Sequence, residues 1–527
     1  MASVGYWRAL DLSSAHKWLR VGFAGLVGVC LLPAAAHAAD VDAVADGEDA
    51  TATDETPLKS GMRWHVNGNW RLVGDNVTPI EVDAPDAQRL SPNEAGEHRL
   101  RLGGDVRYAL ETGFVRALAA EVQADFRQSN YTVDTPEGYL ARKAFVEATT
   151  LAGQFSAGRM TQHWGLGLVA QDGVDDPMQF GVKRGGGIVD RVQYAILPAA
   201  LFQGGDPVKA FPLALAVAYD KVIQDDNART SSDNAHHWLA ALLYRSTALD
   251  AGLYGVKRDQ TDNMGLGLHV LMADAFARYS AFLPQGGKLT IAAEAAYIGG
   301  TTTWLRTINQ PDHLDVAQWG GVLRIEGERG PLQVRLEGGI ASGDDRPFDS
   351  TLHNFQFASD YHVGIVLFSQ YMRLQSRNTM ANLGDPRFTN GAPAGVERVD
   401  THGAVTQAMY LNPVIRLALP KTRSGAKFAL LWGMVAARAP VAVADPFRTY
   451  LNGGVPTGPR GAKNQTDLGA EFDSGLTVEQ PFGFGLSAFL RADVGVLLPG
   501  HAYDAADGTS APAVAATQVQ LALRGAW

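Results

Sequence analysis

Six arginines near the start of the chain, Arg63, Arg71, Arg99, Arg101, Arg107 and Arg127, obey one spacing rule. Within each local stretch they stand an even number of residues apart, with large apolar side chains on the intervening parity. A guanidinium carries a permanent charge and five N–H donors in a planar fork, a shape that holds carboxylates and phosphates. Asp105, Glu121 and Asp125 fall on the same parity as these arginines. Two chemistries are open to such a set. The acids can pair with the arginines across neighbouring strands and brace a wall. Alternatively, an excess of guanidinium facing water can attract anions.

The element that positions them follows from the period. In MRWHVNGNWRLV (62–73), Trp64, Val66, Trp70 and Leu72 alternate with Arg63, His65, Asn67, Asn69 and Arg71. RLRLGGDVRYAL (99–110) and AEVQADFR (120–127) alternate in the same way. Period 2 is a strand with one apolar and one polar face. The chain also ends on such a strand: Val519, Leu521, Leu523 and Trp527 share one parity. Connections between the strands run alternately long and short. A soluble sandwich has no reason to sort loop length by end, whereas a transmembrane barrel does.

These observations predict an all-β fold, a single closed antiparallel transmembrane β-barrel. They give about 18 strands (range 16–20), with long extracellular loops and short periplasmic turns. The ninth strand is expected over 250–257 and the fourteenth over 403–419. Residues 198–210 make a connection too long for its side. Residues 342–402 are read as one long loop that covers or enters the pore, with 361–374 a short helix or strand inside it.

The first residues fix the compartment. Arg8, Lys17 and Arg20 precede an apolar run and an Ala-His-Ala site, so 1–39 read as a secretory signal peptide. Cys30, the single cysteine, lies inside that run. Residues 40–61 read as an acidic disordered segment, and 62–527 as the barrel. No apolar run after the leader is long enough for a spanning helix. A net charge of −10 argues against a nucleic-acid partner. The bacterial outer membrane is the expected location. The aromatic-ended final strand (Val519, Leu521, Leu523, Trp527) resembles the signal read by the barrel-assembly machinery. The expected partners are the lipid bilayer, that machinery and a small hydrophilic solute.

With the apolar parity on lipid, the other parity lines the interior. Besides the residues above it carries Lys143, Glu147, Glu294, Arg324, Glu326, Arg335, Glu337, Glu471, Asp473, Arg491, Asp493 and Arg524. Acid clusters at Asp172–Asp176 and Gly343–Asp345 lack the ligand spacing of a calcium loop. His236 and His237 are adjacent on a strand and so point to opposite faces. Neither G-x-S-x-G nor H-E-x-x-H occurs. No cofactor, metal or enzyme activity is expected. Two alternatives to a channel stay open: a hydrolase with a loop site, for which Asp360 and His362 are the nearest candidate, and a structural or adhesive barrel.

The stretch 143–173, KAFVEATTLAGQFSAGRMTQHWGLGLVAQDG, has a strand, a tight turn, a Gly-Arg strand and a WGLGL loop. It resembles the alginate-export and porin-like outer-membrane barrels, as does ASGDD at 341–345. The resemblance implies a porin-like channel in which Arg159 faces the lumen. The interior arginines would then conduct an acidic saccharide or another anion. Here acids nearly match bases in the lumen, a departure from a strongly cationic polyuronate channel.

Overall fold

The structure is a computed structural model. It describes residues 61–81, 89–90, 95–110, 112–129, 138–199, 212–228, 233–283, 286–304, 307, 311–389 and 391–527. The expected leader, the acidic segment up to residue 60 and most of the 198–210 connection lie outside the described residues.

Eighteen strands, each hydrogen-bonded to the next, close into one antiparallel barrel. They are β1 (Gly61–Val77), β2 (Ala95–Ala109), β3 (Val115–Ser129), β4 (Gly138–Thr150), β5 (Gly153–Thr161) and β6 (Ile188–Ile196). There follow β7 (Leu213–Gln224), β8 (Asn234–Arg245), β9 (Leu249–Thr261), β10 (Gly267–Leu283), β11 (Gly287–Thr302) and β12 (Leu314–Arg329). The last six are β13 (Leu332–Ala341), β14 (Met409–Leu419), β15 (Lys427–Arg438), β16 (Asp467–Gly483), β17 (Leu486–Pro499) and β18 (Val514–Ala526).

The terminal Trp closes the ring. β1 pairs with β18 from Asn67↔Ala526 to Val77↔Ala516. Beyond that ladder, Val66 and Trp527 exchange N–H···O bonds of 2.8 and 2.9 Å, and the Trp527 indole N–H donates to the Phe484 carbonyl at 2.8 Å. Closure removes the unpaired strand edge that would cost several kcal/mol per group in lipid.

Alternation sorts the side chains as expected. Leu72, Leu102, Val122, Leu271, Val494 and Leu521 are exposed on the outer face. Exposed aromatics gather at both rims: Tyr108, Phe114, Phe282, Phe482 and Phe484 at the short-turn end, and Phe126, Tyr139, Trp238, Tyr297 and Trp319 toward the other. Such girdles mark the two membrane interfaces of a barrel. Among the described residues no helix is long and apolar enough to cross a membrane.

Strand ends differ from the sequence reading where ladder and apolar pattern part company. β9 runs on to Thr261 and β1 to Val77, because backbone pairing continues into polar residues above the apolar band. β14 starts at Met409, later than expected, because Thr406 instead bridges Gln356 inside the long loop. That loop folds into the barrel. Within it a π-helical turn, Leu367–Met372, leads into α1 (Arg373–Gly384).

Candidate functional site

Three arginines stand side by side on the inner wall. Register sets Arg71 on β1 opposite Arg99 on β2, and Arg99 opposite Arg127 on β3. All three are buried. Arg71 pairs with Glu97 and donates to the Lys183 carbonyl at 3.0 Å. Arg101 grips Asp125 with two bonds of 2.7 and 2.9 Å, and Arg127 reaches the same carboxylate at 2.8 Å. Arg99 differs. It is 3% exposed, and its Nε and Nη1 have no hydrogen-bond partner. Toward the short turns Arg63 opposes Arg107, Asp105 meets His65 at 3.3 Å, and Glu121 pairs with Lys143 at 2.8 Å.

The period-2 reading missed Arg142. It expects Arg142 outside because Lys143 is inside. A bulge on β4 breaks the rule: Gln123 pairs with Lys143 and Ala124 with Ala141, which leaves Arg142 as the extra residue. A bulge re-aims a side chain, and Arg142 turns inward and is 2% exposed. It donates to the Asp172 carbonyl at 2.8 Å and to the Gly185 carbonyl, with Asp125 at 4.0 Å.

Arg159 is a correction in the other direction. It sits opposite Ala144 and Asp190 and shares the parity of Phe155, which is exposed on the outer wall. It therefore faces outward, with its guanidinium on Asp190 at 2.7 and 3.0 Å. The Gly-Arg pair lies near the end of β5, whose apolar parity carries Arg159, a point the resemblance could not supply.

Much of the remaining interior is occupied by two loops, 162–187 and 342–408, held by carboxylates. Glu294 accepts from the N–H groups of Leu166 and Leu168, and Asp274 accepts from the Trp164 indole at 2.9 Å. Glu471 accepts from three successive N–H groups, Ile365, Val366 and Leu367, at 2.6, 2.7 and 2.7 Å. Arg324 pairs with Glu337 at 2.7 Å and donates to the Tyr361 hydroxyl at 3.0 Å. Arg335 joins Glu326 at 2.6 Å and loop Asp176 at 2.9 Å. Arg491 joins Asp493 at 2.7 Å and donates to the Gln179 carbonyl. These lumen charges brace loops, a role the strand pattern could not show because the partners are distant in sequence.

The loops bring an apolar core with them. Phe180, Phe355, Phe357, Tyr361, Val366 and Phe368 are buried against wall residues such as Leu239, Phe276, Val414 and Leu431. This cluster takes no residue from β2–β6. The apolar filling and the arginine row thus occupy different sectors of the barrel.

Asp360 and His362 are part of this packing. The Asp360 carboxylate accepts from the N–H groups of Arg184, Gly185 and Gly186 at 2.7, 2.8 and 2.6 Å. Burial alone would raise its pKa; the charge of His362 and these donors outweigh burial and bring it to about 2. Burial pushes the His362 imidazole down to about 4. Its Nε2 lies 3.9 Å from Asp360, and both ring nitrogens lack hydrogen-bond partners. A carboxylate already filled by loop N–H groups does not orient a histidine as a base. In the acid clusters, Asp172 caps Val174 N–H at 3.0 Å and Asp344 caps Arg346 N–H at 3.0 Å. His236 points out to Tyr219 at 2.7 Å, and His237 points in to Arg258 at 3.0 Å.

No family model matches the sequence, and no curated protein does. Solved structures similar in fold include OccAB1 of Acinetobacter baumannii, with 11% identity over 88% of this chain and 96% of that one, at a TM-score of 0.48. OpdQ of Pseudomonas aeruginosa has 9% identity over 89% and 99%, with a TM-score of 0.48. OccK2 (OpdF) of Pseudomonas aeruginosa, in complex with glucuronate, has 10% identity over 88% and 98%, with a TM-score of 0.47.

Proposed function

We propose that this protein is a porin-like channel of the bacterial outer membrane, and that small hydrophilic anions pass along the arginine row of β1–β3. The closed barrel with an apolar outer face and two aromatic girdles supports the membrane placement. The observation that carries the anion preference is Arg99. A buried guanidinium with two unpartnered nitrogens is costly unless something binds it. Arg71 and Arg127 flank it in register, each already paired with a carboxylate, Glu97 or Asp125, so Arg99 is the member of the row whose fork is left open. Glu97, Asp125 and the loop residue Asp175 offset part of this sector's charge, whereas acids farther along the lumen are taken up by loop N–H groups and by arginines. Carboxylates and phosphates match the guanidinium fork, and acidic saccharides are the solute class carried over from the alginate-export resemblance.

Planar-bilayer recordings test the reading. Discrete conductance steps are expected, with a reversal potential under a salt gradient that shows anion preference. Barrels that insert but never conduct would favour a structural role, and cation preference would remove the anion route.

A further inference from the structure

The arginine row is covered. Arg71, Arg99, Arg127 and Arg142 are each at most 5% exposed, so a solute moving along the wall meets none of their forks in this conformation. A short piece of loop 162–187 lies against Arg71, Arg127 and Arg142. It is the strap 183–187, Lys-Arg-Gly-Gly-Gly.

The strap is held through its backbone. Its carbonyls accept from wall guanidinium groups, Lys183 from Arg71 at 3.0 Å and Gly185 from Arg142. The Asp172 carbonyl, on the incoming arm of the same loop, takes the second arm of Arg142 at 2.8 Å. The strap's N–H groups go elsewhere. Those of Arg184, Gly185 and Gly186 all donate to Asp360, a carboxylate of the other loop. Wall cations thus grip one side of these peptide groups and a loop anion the other.

Two glycines make the fit possible. A Cβ on Gly185 would stand 2.5 Å from Arg127 Nη2 and 2.8 Å from Arg142 Nη1. Gly186 has φ +67°, and a Cβ there would strike the Gln171 carbonyl oxygen, which belongs to the backbone and cannot swing aside. The run of three glycines also leaves the strap free to move once its contacts go. Those contacts are replaceable. A guanidinium binds a carboxylate in two bonds, each about twice as strong as one to a neutral group. A peptide carbonyl is therefore the weaker occupant of Arg71 and Arg142, and water can solvate it when it leaves.

We infer that residues 183–187 are an autoinhibitory strap over the arginine row. An anionic solute opens it by taking Arg71 and Arg142 from the carbonyls of Lys183, Gly185 and Asp172. Asp360 sets how firmly the strap is shut. Opening by an anion rests on the anion path proposed above; closure by the strap does not, so the two can fail separately.

The test uses the full-length barrel in planar bilayers, with galacturonate as the anionic probe and galactose as its neutral counterpart. Gly186→Val drives a side chain into the Gln171 carbonyl and unseats the strap. Asp360→Asn keeps the shape of the clasp and removes its charge. Heat-modifiable migration confirms that each variant folds. The wild type is expected to dwell at a low conductance level and to open about tenfold more often with galacturonate, a shift of about 1.4 kcal/mol, and not with galactose. Both variants are expected to stand open without galacturonate and to gain little from it. Hydrogen exchange at the amides of 184–186 should quicken with galacturonate in the wild type and be fast throughout in the variants. Open-level occupancy equal in the wild type and both variants would overturn the inference. So would wild-type strap amides that exchange alike with and without galacturonate, or opening by galactose to the same extent. Reversal potentials of the open variants report on the anion path separately. Cation preference there would overturn that path and the anion's part in opening, while variants that stand open would still support closure by the strap.

Discussion

Replacing Arg99 by Gln should change ion selectivity more than any other single neutralisation in the lumen. The reason is compensation. Arg71 is matched by Glu97, and Arg101 and Arg127 share Asp125. Arg99 feels Glu97, Asp125 and Asp175 only through space, and its Nε and Nη1 are buried without a hydrogen-bond partner. An anion passing about 4 Å from one unmatched charge gains about 1 kcal/mol in a water-like medium and about 4 kcal/mol at an effective dielectric of about 20. The lower figure alone is about a fivefold change in occupancy, since about 1.4 kcal/mol is tenfold. Screening over about 8 Å at physiological salt leaves a contact at that range largely intact. The anion-to-cation permeability ratio should therefore fall at least about fivefold in Arg99→Gln. Gln keeps a polar side chain in place and removes repulsion from Arg71 and Arg127, so folding should survive. Reversal potentials in planar bilayers under a KCl gradient give the ratio. Arg159→Gln removes the same formal charge from the outer face and should leave the ratio unchanged. An unaltered reversal potential in Arg99→Gln, or an equal shift in Arg159→Gln, would refute the reasoning.

Glu471→Ala removes the acceptor of three successive N–H groups, each charge-assisted bond being worth about 1.5–3 kcal/mol. Limited proteolysis within 361–384 should quicken, and open-channel current should become noisier. The Asp360–His362 clasp should weaken in two steps as pH falls. Its carboxyl is held at about 2, below the ordinary value of about 3.9. A depressed carboxyl contributes its full stabilisation above the unfolded pKa and loses it as pH falls through the folded one. Below about pH 6.5 the buried His362, held down to about 4, costs stability because the unfolded imidazole protonates first. Toward pH 2 the Asp360 contribution is lost as well. Proteolysis at 183–187 by an acid protease should therefore rise from about pH 6 to about pH 4 and again toward pH 2. Deleting Trp527, or changing it to Asp, removes backbone and indole contacts that extend the closing seam. Heat-modifiable barrel in outer-membrane fractions should drop sharply, and normal levels would count against a role in assembly.

The fold was legible because each strand carries its own evidence. Trp64, Val66 and Leu72 against Arg63 and Arg71 show period 2 without any partner, and loop length alone shows which end is which. The long loop between β13 and β14 was legible as a unit, yet not the three N–H groups of Ile365–Leu367 that seat it on Glu471. That contact joins residues more than a hundred positions apart, and nothing in either stretch announces the other. Arg142 and Arg159 show two further limits. One extra residue in β4 flips Arg142 inward, and sequence alternation has no means of seeing a bulge. Arg159 sits on an apolar parity because Asp190, on the neighbouring strand, supplies its counter-charge.

Counting charges along the polar parity gives a lumen in which acids and bases nearly cancel, and on that count selectivity should be slight. The contacts point elsewhere. Glu294 and Glu471 spend their charge on backbone N–H groups, Glu337 on Arg324, and Asp493 on Arg491. A carboxylate in such a cage contributes little field at a distance, because the dipoles and cations around it already answer it. The same holds for the paired arginines. What a passing solute meets is the residue of charge left after every internal match is made. In this barrel Arg99, between Arg71 and Arg127, keeps two nitrogens without partners, in a sector that gives the apolar core no residue from β2–β6 and over which loop 162–187 lies through Lys183 and Gly185. Selectivity then depends on which ions the loops leave without partners, and a loop clasp such as Glu471 becomes a determinant of permeation without facing the solute.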